Sequence, residues 1–415
     1  MDTNNNVPVI HILSKIDYAE QHLVSLPEAI PLAPLPESSI RVKSALICLT
    51  TNNISYARHG HLFGWWDVHP LPPSTPSALS DPALYGRISA WGYGRVMESN
   101  IASVPPNAMV WGYLPIGTLP VDLRISPTQP IKDQIMENSL HRKNLWPLYN
   151  RYMLYPPVVQ HPIMGDKSLG WDSLLQILYE TGYLLNHFCF SPDVADMVHP
   201  FGLQDNSWTK QDADLADAIV IVFAASGKTA LSFAHQLRCR NAAHKPRIVM
   251  GVTSSLRSQS FTQGTEFYDN VVLYDDVDEV IKLITKGTGT RVLLCDFGAR
   301  DNAAKTWWRT LQAHSQRLTL LSVGSEPRKT DPPQVAGSPP LLQAHASALR
   351  DYAMATWGEE RYFREFLKAW RMFKDAGAIP NLTFEWGQTM DDVGAAWEKL
   401  CKGQVGPETG LLFAL

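Results

Sequence analysis

The chain has 415 residues, too many for one ordinary hydrophobic core, so we expect two domains of roughly 100–200 residues each. Hydrophobic residues make up 45% and charged residues 18% of the chain, which indicates a folded protein and excludes a disordered one. The net charge of −4 arises from 36 basic and 40 acidic residues without a basic block, so nucleic acid is not expected as a partner.

The N-terminus and the cysteines together favour a cytoplasmic protein. The opening residues MDTNNNVPVIHIL lack the basic and apolar pattern of a secretory signal, and no apolar run reaches membrane-spanning length. The five cysteines are widely separated and form no CxxC pair. This spacing is typical of reduced thiols and does not predict a structural zinc site.

Residues 1–150 are predicted to form a β-rich domain that begins with a proline-punctuated lead-in up to about residue 40. A strand is predicted at 41–50, and residues 51–58 then lead into a loop rich in His and Trp. Short segments separated by Gly and Pro follow, which indicates a small β-barrel or sandwich. These predicted strands span 87–99, 108–114 and 117–125.

The apolar period becomes helical from about residue 133. Segments 140–155 and 171–189 carry apolar residues at helical spacing. We therefore assign residues 151–210 to a helical hinge between two domains.

Residues 211–328 are predicted to form a doubly wound parallel sheet. The apolar run at 219–223 is typical of a strand buried on both faces, and a small-residue turn and a helix from Lys228 follow it. Strands and helices then alternate, as a parallel sheet requires. The further strands are predicted at 247–253, 270–274, 291–296 and 318–323, with helices at 278–284 and 303–314.

The last part of the chain is predicted to be helical. Residues 329–341 have the composition of a linker, and residues 342–415 are mostly amphipathic. An apolar stripe between Tyr362 and Phe373 predicts a helix that packs on the body of the protein.

The turn after the strand at 219–223 is the first candidate site. Strand, turn and helix in this order form the first unit of a dinucleotide-binding fold, and Ala225-x-Gly227-x-x-Ala230 is a degraded GxGxxG spacing. An ordinary tight turn has the same pattern, so both interpretations stay open. The sequence disfavours a P-loop, because Val222 stands where that motif requires glycine.

The end of the next strand, at Thr253-Ser254-Ser255-Leu256-Arg257, bears on the cofactor. It holds no acid for a ribose 2′-hydroxyl, whereas hydroxyls with an arginine suit a 2′-phosphate. The sequence thus favours NADP over NAD, and an ordinary polar loop that opens a helix is the alternative.

Metal and acyl chemistry find little support in the sequence. His59, His61 and His69 are close together but fall in the predicted irregular loop, where polar residues are common. We therefore expect no metal. The sequence also shows no nucleophile elbow or Ser–His–Asp order.

Several motifs along nearly the whole chain resemble one family. They lie at 49–57 (LTTNNISYA), 91–99 (WGYGRVMES), 112–115, 141–142, 149–152, 225–230, 252–254, 268–269 and 274–276. With these motifs the sequence resembles the DUF2855 family, a divergent branch of the medium-chain dehydrogenase/reductase superfamily. The resemblance implies a GroES-like β-barrel, a Rossmann-like domain and a ligand cleft between them.

The resemblance also implies a cofactor site. Medium-chain reductases carry AxGGxG or GxGGxG in the turn, whereas here Lys228 replaces the second paired glycine and Ala230 the last. Lys228 can assist a phosphate electrostatically, or its side chain can fill the place of the pyrophosphate. The expected cofactor residues are Ser226, Gly227, Lys228, Thr229, Thr253, Ser254 and Arg257.

Asn53 and Tyr56 fall where zinc-free quinone and enoyl reductases place a loop near the nicotinamide. The resemblance implies that Tyr56 protonates the substrate or steadies its carbonyl, and core packing is the alternative. Tyr149, Asn150 and Tyr152 are expected to face the same cleft and to orient the substrate.

The leading hypothesis is a zinc-independent, NADP(H)-dependent oxidoreductase for a small, largely apolar carbonyl or enoyl compound, with a polyketide-like secondary metabolite as one candidate. A cofactor-free isomerase, cyclase or lyase on the same fold is the second, with Lys228 in the phosphate position. A non-catalytic small-molecule binder is the third, and a homodimer is left open.

Overall fold

The structure is a computed structural model that describes residues 7–156, 163–285, 290–326 and 342–415. The linker predicted at 329–341 lies outside the described residues.

The first part of the chain forms the predicted β-barrel. Six strands close it in the order β3-β5-β6-β9-β8-β7, because β7 pairs back onto β3. Apolar side chains such as Val42, Val110 and Leu123 fill its interior. The elements in chain order are β1 (Val9–Ser14), β2 (Gln21–Ser25), β3 (Ser39–Leu49), α1 (Thr51–Phe63), β4 (Tyr85–Gly86), β5 (Ser89–Ser99), β6 (Met109–Pro115), β7 (Val121–Pro127), β8 (Gln134–Glu137), α2 (Pro147–Asn150) and β9 (Arg151–Tyr155).

The expected lead-in contains two strands. β1 pairs with β2 and with β4 in a three-stranded antiparallel sheet, which buries Ile10, Ile12 and Val24. Pro8 and Pro27 flank these strands without interrupting them, so the strands keep their hydrogen-bonding N–H groups.

The helix α1 covers residues 51–58 and continues to Phe63, so the loop predicted after residue 58 was wrong for residues 59–63. The Thr50 side chain accepts a hydrogen bond from the backbone N–H of Asn52, and Asn53 completes a capping box. Gly64 ends the helix at φ +73°, in the left-handed region that favours glycine. The two ends of α1 therefore have recognisable capping residues.

The prediction of a helix at 140–155 was largely wrong. Only α2 is helical there beyond a single turn at Leu140–Arg142, and β9 pairs with both β6 and β8 inside the barrel. The side chain of Tyr152 fills the barrel interior, so packing and pairing with distant strands outweigh the local helical spacing.

The predicted helix at 171–189 is confirmed as α3 (Lys167–Leu184), which continues into a π-helical turn at Leu185–Cys189. The short α4 (Lys210–Ala213) follows. The helix packs closely on the next domain at Gly182, where an added Cβ would lie 2.7 Å from the backbone nitrogen of Phe233. α3 thus joins the barrel to the parallel sheet.

The predicted doubly wound sheet is confirmed. Its six strands are all parallel, in the order β12-β11-β10-β13-β14-β15. The elements are β10 (Ile219–Phe223), α5 (Lys228–Arg238), β11 (Ile248–Thr253), α6 (Leu256–Gln263), β12 (Asn270–Leu273), α7 (Val277–Thr285), β13 (Val292–Phe297), α8 (Ala303–Leu311), β14 (Leu318–Gly324) and β15 (Leu342–Gln343).

The tail is helical as predicted, but it also adds strands to the barrel sheet. β17 pairs antiparallel with β3, and β16 pairs parallel with β17. The chain therefore returns to the barrel after completing the parallel sheet. The elements are α9 (Ala346–Trp357), α10 (Glu359–Asp375), β16 (Thr383–Gly387), α11 (Met390–Cys401) and β17 (Thr409–Phe413).

The apolar stripe of α10 is buried, including Tyr362, Phe366 and Trp370. Within the described residues, no helix has the length and apolar character needed to cross a membrane.

Candidate active site

A cavity of about 630 Å³ lies where the barrel, α3, the parallel sheet and α9 meet. Residues at or just beyond the carboxyl ends of the parallel strands line it, among them Ala224, Thr253, Tyr274, Phe297 and Gly324. Ligands of open parallel sheets bind at this edge. The fold therefore points to this cavity as the functional site.

The turn between β10 and α5 exposes a helix N-terminus to the cavity. Ala224 adopts φ +51°, and the N–H of Gly227 donates a hydrogen bond of 2.8 Å to the carbonyl of Ala224. Gly227 is the N-cap of α5, and no side chain among the described residues caps this end. Free N–H groups and the helix dipole at such an end attract anions.

Lys228 reaches across the cavity to the barrel sheet. Its Nζ donates a hydrogen bond of 2.9 Å to the carbonyl of Thr409, at the start of β17. Burial lowers the pKa of Lys228 to about 8, against the opposing effects of Cys48 and Glu408. The side chain is thus held by β17 and not by its own turn.

Thr253 offers a buried hydroxyl at the end of β11. Its Oγ1 is buried and has no hydrogen-bond partner within the described residues. An unsatisfied buried hydroxyl is costly, which favours a ligand or water at this position. Ser254 also lines the cavity.

All of the predicted cofactor residues except Arg257 line the cavity; they are Ser226, Gly227, Lys228, Thr229, Thr253 and Ser254. Arg257 lies on the first turn of α6 and forms an ion pair with Glu408. The uncapped helix end, the ammonium group and the unsatisfied hydroxyl fit the phosphates of a dinucleotide.

Tyr56 lines the cavity from the barrel side. Its hydroxyl oxygen accepts hydrogen bonds from Asn52 Nδ2 at 2.7 Å and from Trp91 Nε1 at 2.9 Å. Burial raises the pKa of Tyr56 well above its usual range, and nearby Tyr149 adds to this, whereas the two donors oppose it. Tyr56 is therefore a protonated phenol with fixed orientation.

Tyr149 joins Tyr56 in an aromatic wall of the cavity. The ring centroids of the two tyrosines are 6.0 Å apart, and Trp65 packs on both rings. Burial raises the pKa of Tyr149 above its usual range, against the smaller effects of Trp65, Tyr56 and Ser347. The sequence correctly grouped these two tyrosines.

The other predicted catalytic residues lie behind the cavity wall. Asn53 Oδ1 accepts from the backbone of Thr50 at 2.8 Å, and its Nδ2 donates to the carbonyl of Ser89 at 3.0 Å. Asn150 donates to the carbonyl of Arg142, and Tyr152 points into the barrel. Their catalytic roles stay predictions, and in the structure their side chains bond to the backbone or pack inside the barrel.

Sequence reasoning missed a buried ion pair in the cavity wall. Arg350 Nε on α9 lies 3.2 Å from Glu180 Oε1 on α3, and Tyr362 donates a hydrogen bond of 2.6 Å to the same oxygen. Charged residues are rarely buried unless they are paired. Glu180 and Arg350 interrupt apolar helical faces, and this pattern could have identified them.

The three histidines considered for metal binding are not assembled into a site. His59 lies 3.2 Å from Ser325 Oγ at the cavity, whereas His69 is buried beside Arg142. Among the described residues, no three His, Cys, Asp or Glu side chains are grouped to hold a metal ion. Zinc independence stays a prediction.

The barrel followed by the parallel sheet defines the medium-chain dehydrogenase/reductase fold. CurA from Vibrio vulnificus is similar with a TM-score of 0.54 and 11% identity, covering 97% of this chain and 98% of that one. Escherichia coli quinone oxidoreductase complexed with NADPH is similar with a TM-score of 0.51 and 15% identity, covering 99% of each chain. A mutant enoyl thioester reductase from Candida tropicalis has a TM-score of 0.52 at 10% identity, covering 99% of this chain and all (100%) of that one.

Within that fold, the chain belongs to a particular family. The model of the family described as "Protein of unknown function (DUF2855)" matches residues 47–406, so the chain is a member of DUF2855. No curated protein matches the sequence. The resemblance inferred from the sequence motifs is confirmed.

Proposed function

We propose that the protein is a zinc-independent, NADP(H)-dependent oxidoreductase that acts on a small, largely apolar carbonyl or enoyl compound. One observation carries the proposal. The uncapped N-terminus of α5, Lys228 and the unsatisfied Thr253 hydroxyl line one side of a cavity, and the phenol of Tyr56 lines the other.

The similar structures support the cofactor class. CurA from Vibrio vulnificus has also been solved in complex with NADPH, with a TM-score of 0.51 and 11% identity over 95% of this chain and 94% of that one. The Escherichia coli quinone oxidoreductase was likewise complexed with NADPH. None of the similar structures cited supports the cofactor-free isomerase or lyase hypothesis.

The chain's own residues supply an anion-binding surface. The N–H groups at the start of α5 and the ammonium of Lys228 would hold the pyrophosphate, and Thr253 and Ser254 would contact the adenosine ribose and its phosphate. Bound NADPH supplies a hydride for reduction.

Tyr56 is the proposed proton donor. Asn52 and Trp91 donate to its oxygen, so their N–H groups stabilise the negative charge that develops there when the proton leaves. A positioned general acid of this kind contributes about 10²–10⁴-fold to the rate. Tyr149 beside it would orient the substrate carbonyl.

The cavity wall indicates the substrate class. Part of the cavity wall is apolar; its residues are Leu62, Phe63, Trp65, Leu148 and Leu184. The volume of about 630 Å³ must also hold the reactive end of the cofactor, which leaves room only for a small compound.

Titration of the purified protein with NADPH, followed by nicotinamide fluorescence and calorimetry, tests the proposal. We expect saturable binding that Lys228→Gln weakens and that Lys282→Gln, at an exposed lysine of α7, leaves unchanged. Absence of binding at millimolar NADPH would reject the oxidoreductase and leave the cofactor-free enzyme or the binder.

A further inference from the structure

We propose that Glu408 sets the discrimination between NADPH and NADH, by occupying the guanidinium of Arg257 that a 2′-phosphate would otherwise bind. This inference rests on the proposed function of the cavity. It assigns a specificity-determining role to a residue more than 150 positions away in sequence from the strand end that reads the ribose.

Glu408 belongs to the segment between α11 and β17. Its carboxylate accepts a hydrogen bond from Arg257 NH2, which closes an ion pair between the tail and α6. Gly406 lies against the same guanidinium and lines the cavity; a Cβ at this position would come within 2.6 Å of Arg257 NH2. The ion pair therefore lies at the rim of the cavity.

The same carboxylate also acts on Lys228. The residue after Glu408 is Thr409, whose carbonyl accepts the hydrogen bond from Lys228 Nζ. Burial opposes ionisation of Glu408, but its own backbone N–H, Arg257 and Lys228 together lower its pKa below the usual range. Glu408 is thus an ionised carboxylate between the two cations expected to meet phosphates.

Cofactor choice in this fold is made at the end of the second strand of the parallel sheet. An acid there accepts a hydrogen bond from a ribose 2′-hydroxyl, whereas an arginine binds a 2′-phosphate. The stretch from Thr253 to Arg257 holds an arginine and no acid, and the tail brings Glu408 to that arginine.

The consequence follows from charge. A 2′-phosphate must separate Glu408 from Arg257 and also meets the carboxylate's repulsion, whereas a 2′-hydroxyl meets neither cost. The Arg257 side chain is 66% exposed, so solvent screens the pair and limits the effect. We expect removal of the carboxylate charge to tighten NADPH binding by about three- to tenfold.

The test measures the dissociation constants of NADPH and NADH for the full chain by calorimetry. Glu408→Gln is the main variant, and Glu398→Gln, an exposed ion-paired acid on α11, is the matched control for the lost negative charge. We expect Glu408→Gln to raise NADPH affinity and to keep NADH affinity within about twofold or weaken it, and Glu398→Gln to change neither.

Arg257→Ala completes a double-mutant cycle. If Glu408 acts by occupying Arg257, the gain from Glu408→Gln becomes smaller in the Arg257→Ala background, where only the carboxylate's repulsion remains. An unchanged NADPH-to-NADH affinity ratio in Glu408→Gln, or a gain of undiminished size without Arg257, overturns the inference while the oxidoreductase stands. Failure of the wild type to bind NADPH at millimolar concentration overturns the proposed function, whereas NADPH binding to Glu408→Gln alone would still support the role of Glu408.

Discussion

Trp91 Nε1 donates a hydrogen bond of 2.9 Å to the hydroxyl oxygen of Tyr56, and both side chains are buried. β5 supplies the indole and α1 supplies the phenol. The bond fixes the phenol at the cavity wall through two elements that are anchored separately, which gives the proposed acid a set direction.

Tyr56→Phe is expected to lower kcat by about 10²–10⁴-fold in reduction of an enoyl or carbonyl substrate, because the proton donor is lost. The dissociation constant of NADPH should stay the same, since the phosphates bind at the other side of the cavity. Steady-state kinetics and a cofactor titration check both expectations. A variant with wild-type kcat would assign Tyr56 to packing.

NADPH binding is expected to depend on the ionisation of Lys228, whose pKa lies at about 8. A phosphate favours the ammonium form, so affinity is full below pH 8 and falls as the pH rises through this value. Titrations between pH 6.5 and pH 9.5 measure how the dissociation constant changes with pH. Above the pKa of Lys228, we expect about one proton to be taken up for each NADPH bound. Lys228→Gln should bind more weakly and lose this dependence; an equal slope in the variant would contradict the prediction.

Asn53→Ala tests whether Asn53 acts in chemistry or in structure. The side chain bonds the backbone of Thr50 and Ser89, so we expect a loss of about 1–3 kcal/mol in the free energy of unfolding. Urea unfolding gives this free energy. Cofactor affinity and kcat at permissive temperature should change little, and a large fall in kcat without loss of stability would restore the catalytic role.

Arg350→Met should destabilise the protein by about 3–5 kcal/mol, because it leaves the buried carboxylate of Glu180 without its cation. The double variant Glu180→Gln with Arg350→Met should recover part of this loss. Urea unfolding of the two single variants and the double variant measures the coupling. Additive losses would show that the two side chains act independently.

The sequence predicted the parallel sheet well because its strands are continuous apolar runs and its helices are amphipathic. The prediction failed at β9 and did not identify β1, β16 or β17 as strands. β9, β1 and β17 each pair with a strand far away along the chain, and β16 is held in the sheet through β17. Local spacing carries no record of such pairing.

The candidate site likewise contains residues that local sequence identified and contacts that depend on distant parts of the chain. Lys228, Thr253 and Tyr56 were found because they adjoin recognisable elements. Arg257 was assigned to a phosphate from its position in the chain, and its ion pair with Glu408 depends on the return of the tail. Asn53 was assigned to chemistry from the family resemblance, and its part in the capping box of α1 was not foreseen.

The return of the chain to β3 has a consequence for synthesis in the cell. β17 leaves the ribosome after every strand of the parallel sheet, yet it supplies the carbonyl that holds Lys228. A nascent chain that has completed the parallel sheet still lacks this contact. The cavity therefore acquires its final shape late in translation, and a prematurely terminated chain has an incomplete site.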